Sequence, residues 1–176
     1  MREQILKMQQ TLPPKVRTML LRAIVLFIGW TLLYQFLLKP IGIPDNQLTE
    51  FVVNGSVKML SLFFDSATHV GPSVFINGIQ SVNVAPQCNG LELIVLYVGF
   101  LMCYPASWKR ALVFGIVGTV VITFLNIVRC SLLAWMYVSQ MSMADFAHHF
   151  GFKLIIYGVV LLGWVLYTKS PKQSAA

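Results

Sequence analysis

Four apolar runs, each bounded by polar or basic residues, set the limits on what this chain can become: Ala23 to Leu38, Leu91 to Tyr104, Ala111 to Val138 and Phe150 to Tyr167. A helix needs about 20 apolar residues to cross a bilayer, and the runs come near or exceed that length. Only 11% of the 176 residues are charged, against about 25% in a soluble domain. Too little charge remains to cover a water-facing surface, and the length suits one domain of a few helices. The fold class expected is therefore an all-α polytopic membrane protein with about four transmembrane helices.

Between the runs the texture changes. Met1 to Arg22 is polar and basic, with Pro13-Pro14 expected to break any helix there. The run after it resembles the core of a signal peptide, but no small-residue cleavage site follows, so it reads as a retained first span stopped by Lys39-Pro40. From Thr49 to Val70 apolar residues are broken by Asn54, Lys58 and Asp65, the pattern of an amphipathic or re-entrant helix. Val74 to Val84 alternates about Asn77-Gly78, which predicts a small β-hairpin with a tight turn. Residues 1–22 form a basic cytoplasmic segment in this reading, 23–168 a single membrane domain, and 169–176 a cytoplasmic tail.

The formal charge of +7 invites a nucleic-acid reading, but no basic face with interleaved aromatics is present. The basic residues cluster instead at the ends of the runs, where they set orientation. With both termini and the 105–110 loop on one side, nine of the 13 basic residues lie there: Arg2, Lys7, Lys15, Arg17, Arg22, Lys109, Arg110, Lys169 and Lys172. Asp45, Glu50, Asp65, Glu92 and Asp145, five of the six acids, fall on the other side or its boundary. The positive-inside rule makes the first side cytoplasmic, in a bacterial inner membrane with the hairpin outside.

That topology gathers the polar groups hardest to explain. Cys88 enters the second span from outside. Arg129 lies about 18 residues beyond Ala111, roughly 27 Å along the third helix, and so near its outer end. His148 and His149 open the fourth span. A charge inside a span faces a partner or a wet cavity; a bland alternative is an arginine snorkelling to headgroups and paired with Glu92 or Asp145. Glu92 follows Cys88 by four residues and is equally placed to orient Arg129, while Asn126 shares the arginine's face. A thiolate is a nucleophile favoured by a neighbouring cation, an imidazole serves as acid and base, and an arginine stabilises an oxyanion. A helix beginning after Cys88 adds its amino-terminal dipole.

Cys88-Asn89-Gly90 entering a span, Asn126-x-x-Arg129 near the outer end of the next, and a histidine opening the last resemble the exosortase/archaeosortase family of membrane cysteine transpeptidases. The resemblance covers residues 74 to 168. It implies that Cys88 is the nucleophile, Arg129 the oxyanion or substrate-positioning group, and His148 (with His149 as alternative) the acid/base, supported by Asn89, Gly90, Glu92 and Asn126. His148 fits better because an aromatic residue, Phe152, follows it by four. The substrates implied are exported proteins with a carboxy-terminal sorting signal of motif, transmembrane helix and basic cluster, passed to a lipid or glycan amine. The usual Cys-Ser-Gly is Cys-Asn-Gly here, and the chain is compact beside the larger, roughly eight-span members.

No organic cofactor and no metal-type spacing is indicated, since Cys88, Cys103 and Cys130 are isolated from one another. Cys103 and Cys130 read as packing residues, and His69 as an exposed loop residue. Trp135, Tyr137, Trp164 and Tyr167 read as interfacial or packing aromatics, and Gly115, Gly118, Gly158 and Gly163 as points of close helix approach. The rival function is a non-catalytic membrane subunit or assembly factor of an export or polysaccharide system. A small transporter is disfavoured, because no span is broken or charged at mid-membrane.

Overall fold

The computed structural model describes residues 13–104 and 106–169, with the side chains of all but Lys15 and His149. The basic segment before Pro13 and the tail beyond Lys169 lie outside the described residues. The first helix, α1 (Pro14–Leu33), starts with a proline at its first position, where no amide hydrogen is needed. Pro13-Pro14 therefore begins the helix rather than breaking it. Lys39-Pro40 does not stop it either. A π-turn, Tyr34–Leu38, widens the helix ahead of Pro40 and carries it into α2 (Lys39–Ile41). The wider turn relieves the clash a proline ring makes with the preceding turn.

The segment expected as one amphipathic helix to Val70 divides in two. The helix α3 spans Asp45–Leu60 and buries Val52, Val53, Ser56 and Leu60. Ser61 then donates back to the Lys58 carbonyl at 2.8 Å, and the chain turns out of the helix. Residues Ala67–Val70 form β1, which pairs antiparallel with β2 (Ser73–Ile76). His69 is thus a strand residue, though exposed. The hairpin of β2 and β3 (Ile79–Asn83) forms as expected, with Asn77 at φ 53° and Gly78 at φ 77° making its turn. The described sheet has three strands in the order β1-β2-β3 rather than two.

A turn at Pro86–Cys88 leads into α4 (Leu91–Cys103), followed by α5 (Trp108–Val138), α6 (Ala144–Phe146), a π-turn at Ala147–Gly151, and α7 (Phe152–Thr168). Two helices, Val16–Ile41 and Trp108–Val138, are long and apolar enough to cross a membrane; Leu91–Cys103 and Phe152–Thr168 are apolar but shorter. The chain is mostly helical with a small sheet, as suits a membrane protein.

The helix α5, 31 residues and so about 46 Å long, serves two cores. Its first half packs Ile122 with Tyr97, Leu101, Val160 and Tyr167 of α4 and α7. Its second half packs Cys130 and Ala134 against Val52 and Val53 of α3 and Val74 and Ile76 of β2. Cys103 and Cys130 are both buried. Arg110 ties the start of α5 to the end of α7, donating to the carbonyls of Leu166 (3.0 Å) and Lys169 (2.6 Å). Tyr167 is a core residue whose hydroxyl donates to Leu101 O at 3.1 Å, and Trp164 stacks on Phe100 with ring centres 4.5 Å apart. Trp135 and Tyr137 stay exposed.

Among the glycines singled out, two admit a neighbour. The Tyr97 ring lies where a side chain on Gly118 would project, and 2.8 Å from where one on Gly163 would begin. Gly115 has only ordinary contact, and Gly158 faces open space; neither position needs a small residue for packing. Gly118→Leu is expected to lower thermal stability in detergent by about 1–3 kcal/mol through overpacking, while Gly158→Leu leaves it near wild type. Equal melting of the two variants, followed by tryptophan fluorescence, would contradict this packing.

Candidate active site

Cys88 ends the short Pro86–Cys88 turn, half-buried and not disulfide-bonded. Three residues hold it there. Its carbonyl accepts from Asn126 Nδ2 at 2.7 Å, so α5 grips the loop directly. The next residue, Asn89, is fully buried; its Oδ1 accepts from Leu91 N at 2.9 Å, satisfying an amide at the first turn of α4. Gly90 then turns the chain at φ +91°, a conformation that costs residues with a Cβ about 1–2 kcal/mol. A side chain there would also begin 3.4 Å from Asn126 Nδ2. The glycine of the motif is thus favoured by backbone geometry, the neighbour leaving room for ordinary contact.

Arg129 lies one turn beyond Asn126 and is 93% buried, at 7% exposure. It does not snorkel. Its Nη2 sits 4.0 Å from Cys88 Sγ, and its buried Nε has no hydrogen-bond partner among the described residues. The alternative pairing with Glu92 or Asp145 is not formed among the described residues. Asp145 accepts instead from the Tyr137 hydroxyl at 3.2 Å. Glu92 is exposed and lines the cleft without bridging to the arginine.

Cys88, Gly90, Glu92, Arg129 and His148 line one cleft of about 600 Å³. Asn89 and Asn126 stand behind it. His148 is half-buried within the π-turn Ala147–Gly151, whose closing bond runs from Phe152 N to Ala147 O. That i to i+5 spacing brings His148 and Lys153 to the same cleft. Such single π-turns recur at functional sites. The His149 side chain, the alternative acid/base, lies outside the described residues. Phe27 and Trp30 of α1 complete the wall.

Asp45, Tyr34, Thr49 and Lys153 were not marked as site residues by the sequence reading. Asn89 Nδ2 donates to Asp45 Oδ1 at 2.9 Å and to Thr49 Oγ1 at 3.3 Å, and the Tyr34 hydroxyl donates to Asp45 Oδ2 at 2.9 Å. These partners lie 40 or more residues from Asn89, except that Tyr34 and Asp45 are 11 apart, so periodicity carried no signal of them. Lys153, a charge inside an apolar run, was the one visible signal. No group of three metal-ligating side chains occurs among the described residues.

A thiol, a buried guanidinium and an imidazole thus share one apolar-walled cleft. The family model for transmembrane exosortases matches residues 13–166, and the chain belongs to that family of membrane cysteine transpeptidases. No curated protein and no solved structure matches it significantly.

Gly90→Ala is expected to destabilise the fold by about 1–2 kcal/mol through the left-handed backbone and to alter the rate at which iodoacetamide modifies Cys88. Thermal unfolding and mass-spectrometric alkylation kinetics check both; wild-type values in each would remove the geometric role given to this glycine.

Proposed function

We propose that the protein cleaves the carboxy-terminal sorting signals of exported proteins and transfers them through a thioester on Cys88. The observation that carries the reading is Arg129: a buried guanidinium beside the Cys88 sulfur, with donors left over, in the cleft that also holds His148. Burying an arginine without a carboxylate partner is costly, and a substrate whose carbonyl gains negative charge in the reaction offsets that cost.

The chemistry follows from these groups. The Cys88 thiolate attacks the scissile carbonyl carbon, and Arg129 donates to the oxygen as it becomes an oxyanion. The carbon–nitrogen bond then breaks as His148 gives its proton to the leaving amine. A thioester remains. An incoming amine from a lipid or glycan acceptor, its proton taken by His148, attacks the thioester and releases the thiolate. Glu92 and Lys153 at the cleft are placed to meet charged parts of the signal or acceptor.

In this reading four helices cross a bacterial inner membrane, with both termini cytoplasmic and the sheet and cleft outside. The basic cluster at Lys109, Arg110 and Lys169 supports that orientation, as does Arg110 bridging α5 to the end of α7. α4 alone, at 13 residues or about 20 Å, is short for a bilayer of about 30 Å. The cleft at its outer end therefore lies below the surface level reached by α5.

Mapping the carboxy termini of exported proteins in cells tests the chemistry. Cys88→Ala is expected to leave a set of them with an intact carboxy-terminal helix, and Arg129→Gln to slow their processing by about 10²–10³-fold. Unchanged termini in Cys88→Ala cells, with a phenotype on deletion, would leave a non-catalytic membrane subunit as the answer. For orientation, a periplasm-dependent phosphatase reporter is expected to be active at the Asn77-Gly78 turn and inactive at the carboxy terminus. Activity at the carboxy terminus would overturn the four-span arrangement.

A further inference from the structure

We infer that Asp45 is a positioning residue for the Cys88 nucleophile, acting through the orientation of the Asn89 side chain. The catalytic consequence rests on the transpeptidase reading above; the geometric one does not. Asp45 opens α3 and is buried, at 5% exposure. Its described hydrogen-bond partners are neutral: the Tyr34 hydroxyl on Oδ2 and Asn89 Nδ2 on Oδ1, each at 2.9 Å. The amino-terminal end of α3 adds a favourable dipole for the negative charge. Buried carboxylates are retained only when their oxygens are satisfied, and here both are.

What the carboxylate does follows from its being an acceptor on both oxygens. It can meet Asn89 only through that residue's NH₂ group. The Asn89 oxygen is thereby turned the other way, onto Leu91 N at 2.9 Å. That bond starts α4, and Cys88 is the residue immediately before Asn89. The nucleophile is consequently held from two sides. Asn126 of α5 grips its carbonyl at 2.7 Å, and Asp45 of α3 fixes the amide that follows. Loss of the second hold leaves Asn89 Nδ2 with only two 3.3 Å contacts, to Thr49 Oγ1 and to the backbone carbonyl of residue 45. The sulfur, at the 4.0 Å margin of contact with Arg129, is then free to drift. Displacements of about 1 Å at a reacting atom cost up to about 10²-fold in rate.

Four full-length variants in detergent test the inference: Asp45→Ala, Asp45→Asn, Asn89→Ala, and Asp45→Ala with Asn89→Ala. Their background is Cys103→Ala/Cys130→Ala, so that Cys88 is the reactive thiol. Two rates are read: alkylation of Cys88 by iodoacetamide, and turnover of a sorting-signal substrate identified by terminus mapping. Asp45→Ala is expected to shift the alkylation rate by about threefold or more and to lower kcat by about 10–100-fold with KM little changed. Asp45→Asn, whose oxygen can still accept from Asn89 and whose amide can donate to Tyr34, restores most of both. The double variant is no worse than Asn89→Ala alone, because the two residues act in series. Wild-type alkylation and kcat in Asp45→Ala overturn the inference. So do additive losses in the double variant, or no rescue by asparagine. If the protein proves to have no peptide substrate, the transpeptidase reading falls, and the alkylation rates still decide the geometry.

Discussion

The hydrogen bond from Asn126 to the Cys88 carbonyl is the contact on which the arrangement of this protein depends. It joins the longest helix to the loop that carries Cys88, and it lies where the two apolar cores meet. Ile122, one turn before Asn126, belongs to the core with α4 and α7; Cys130, one turn after, belongs to the core with α3 and the sheet. Asn126 and Arg129 form the polar layer between them. Apolar packing is non-directional, so neither core could set the position of a sulfur atom to a fraction of an ångström. A short hydrogen bond to a backbone carbonyl can.

The same layer explains how a buried arginine is tolerated. A lone charge among apolar helices would be expelled or neutralised by a partner. Arg129 instead borders a cleft that holds a thiol, an imidazole-bearing turn and an exposed carboxylate. Its environment is thus polar on one side and packed on the other, the combination that strengthens an electrostatic contact without sealing it from ligand.

The supporting shell is built from whatever element comes near, not from neighbours in sequence. Asn89 replaces the serine more usual between the cysteine and the glycine. Its longer side chain reaches Asp45 and Thr49 on α3 while still meeting Leu91 N. A serine hydroxyl has one donor and a short reach, and would not span those partners. The asparagine here thus uses a helix lying close to it. Gly55 permits that approach further along α3, where a Cβ would begin 2.6 Å from Ile127 of α5.

Much of this was legible in the residues themselves. Apolar runs bounded by charge fix where helices form, because bilayer crossing and helix length are local properties, and Asn77-Gly78 specifies its turn through its own backbone preferences. Counting rise per residue along successive runs led to the expectation that Cys88, Arg129 and His148 lie near one another, and all three line one cleft. Local rules misjudged the passage through Pro40, where a π-turn absorbed the clash, and the split of residues 49–70 into helix and strand, where pairing with β2 decided the outcome. Which charges pair, and which side chains stand behind Cys88, depend on distances between elements far apart in the chain. Glu92 and Arg129 share a cleft without bridging, while Tyr34, Asp45 and Asn89 join three separate segments. Sequence determined most of the helices and the hairpin turn; only the packing of α1, α3, α4 and α5 decided which side chains meet, because a hydrogen bond requires a contact of about 3 Å that no sequence spacing encodes across helices.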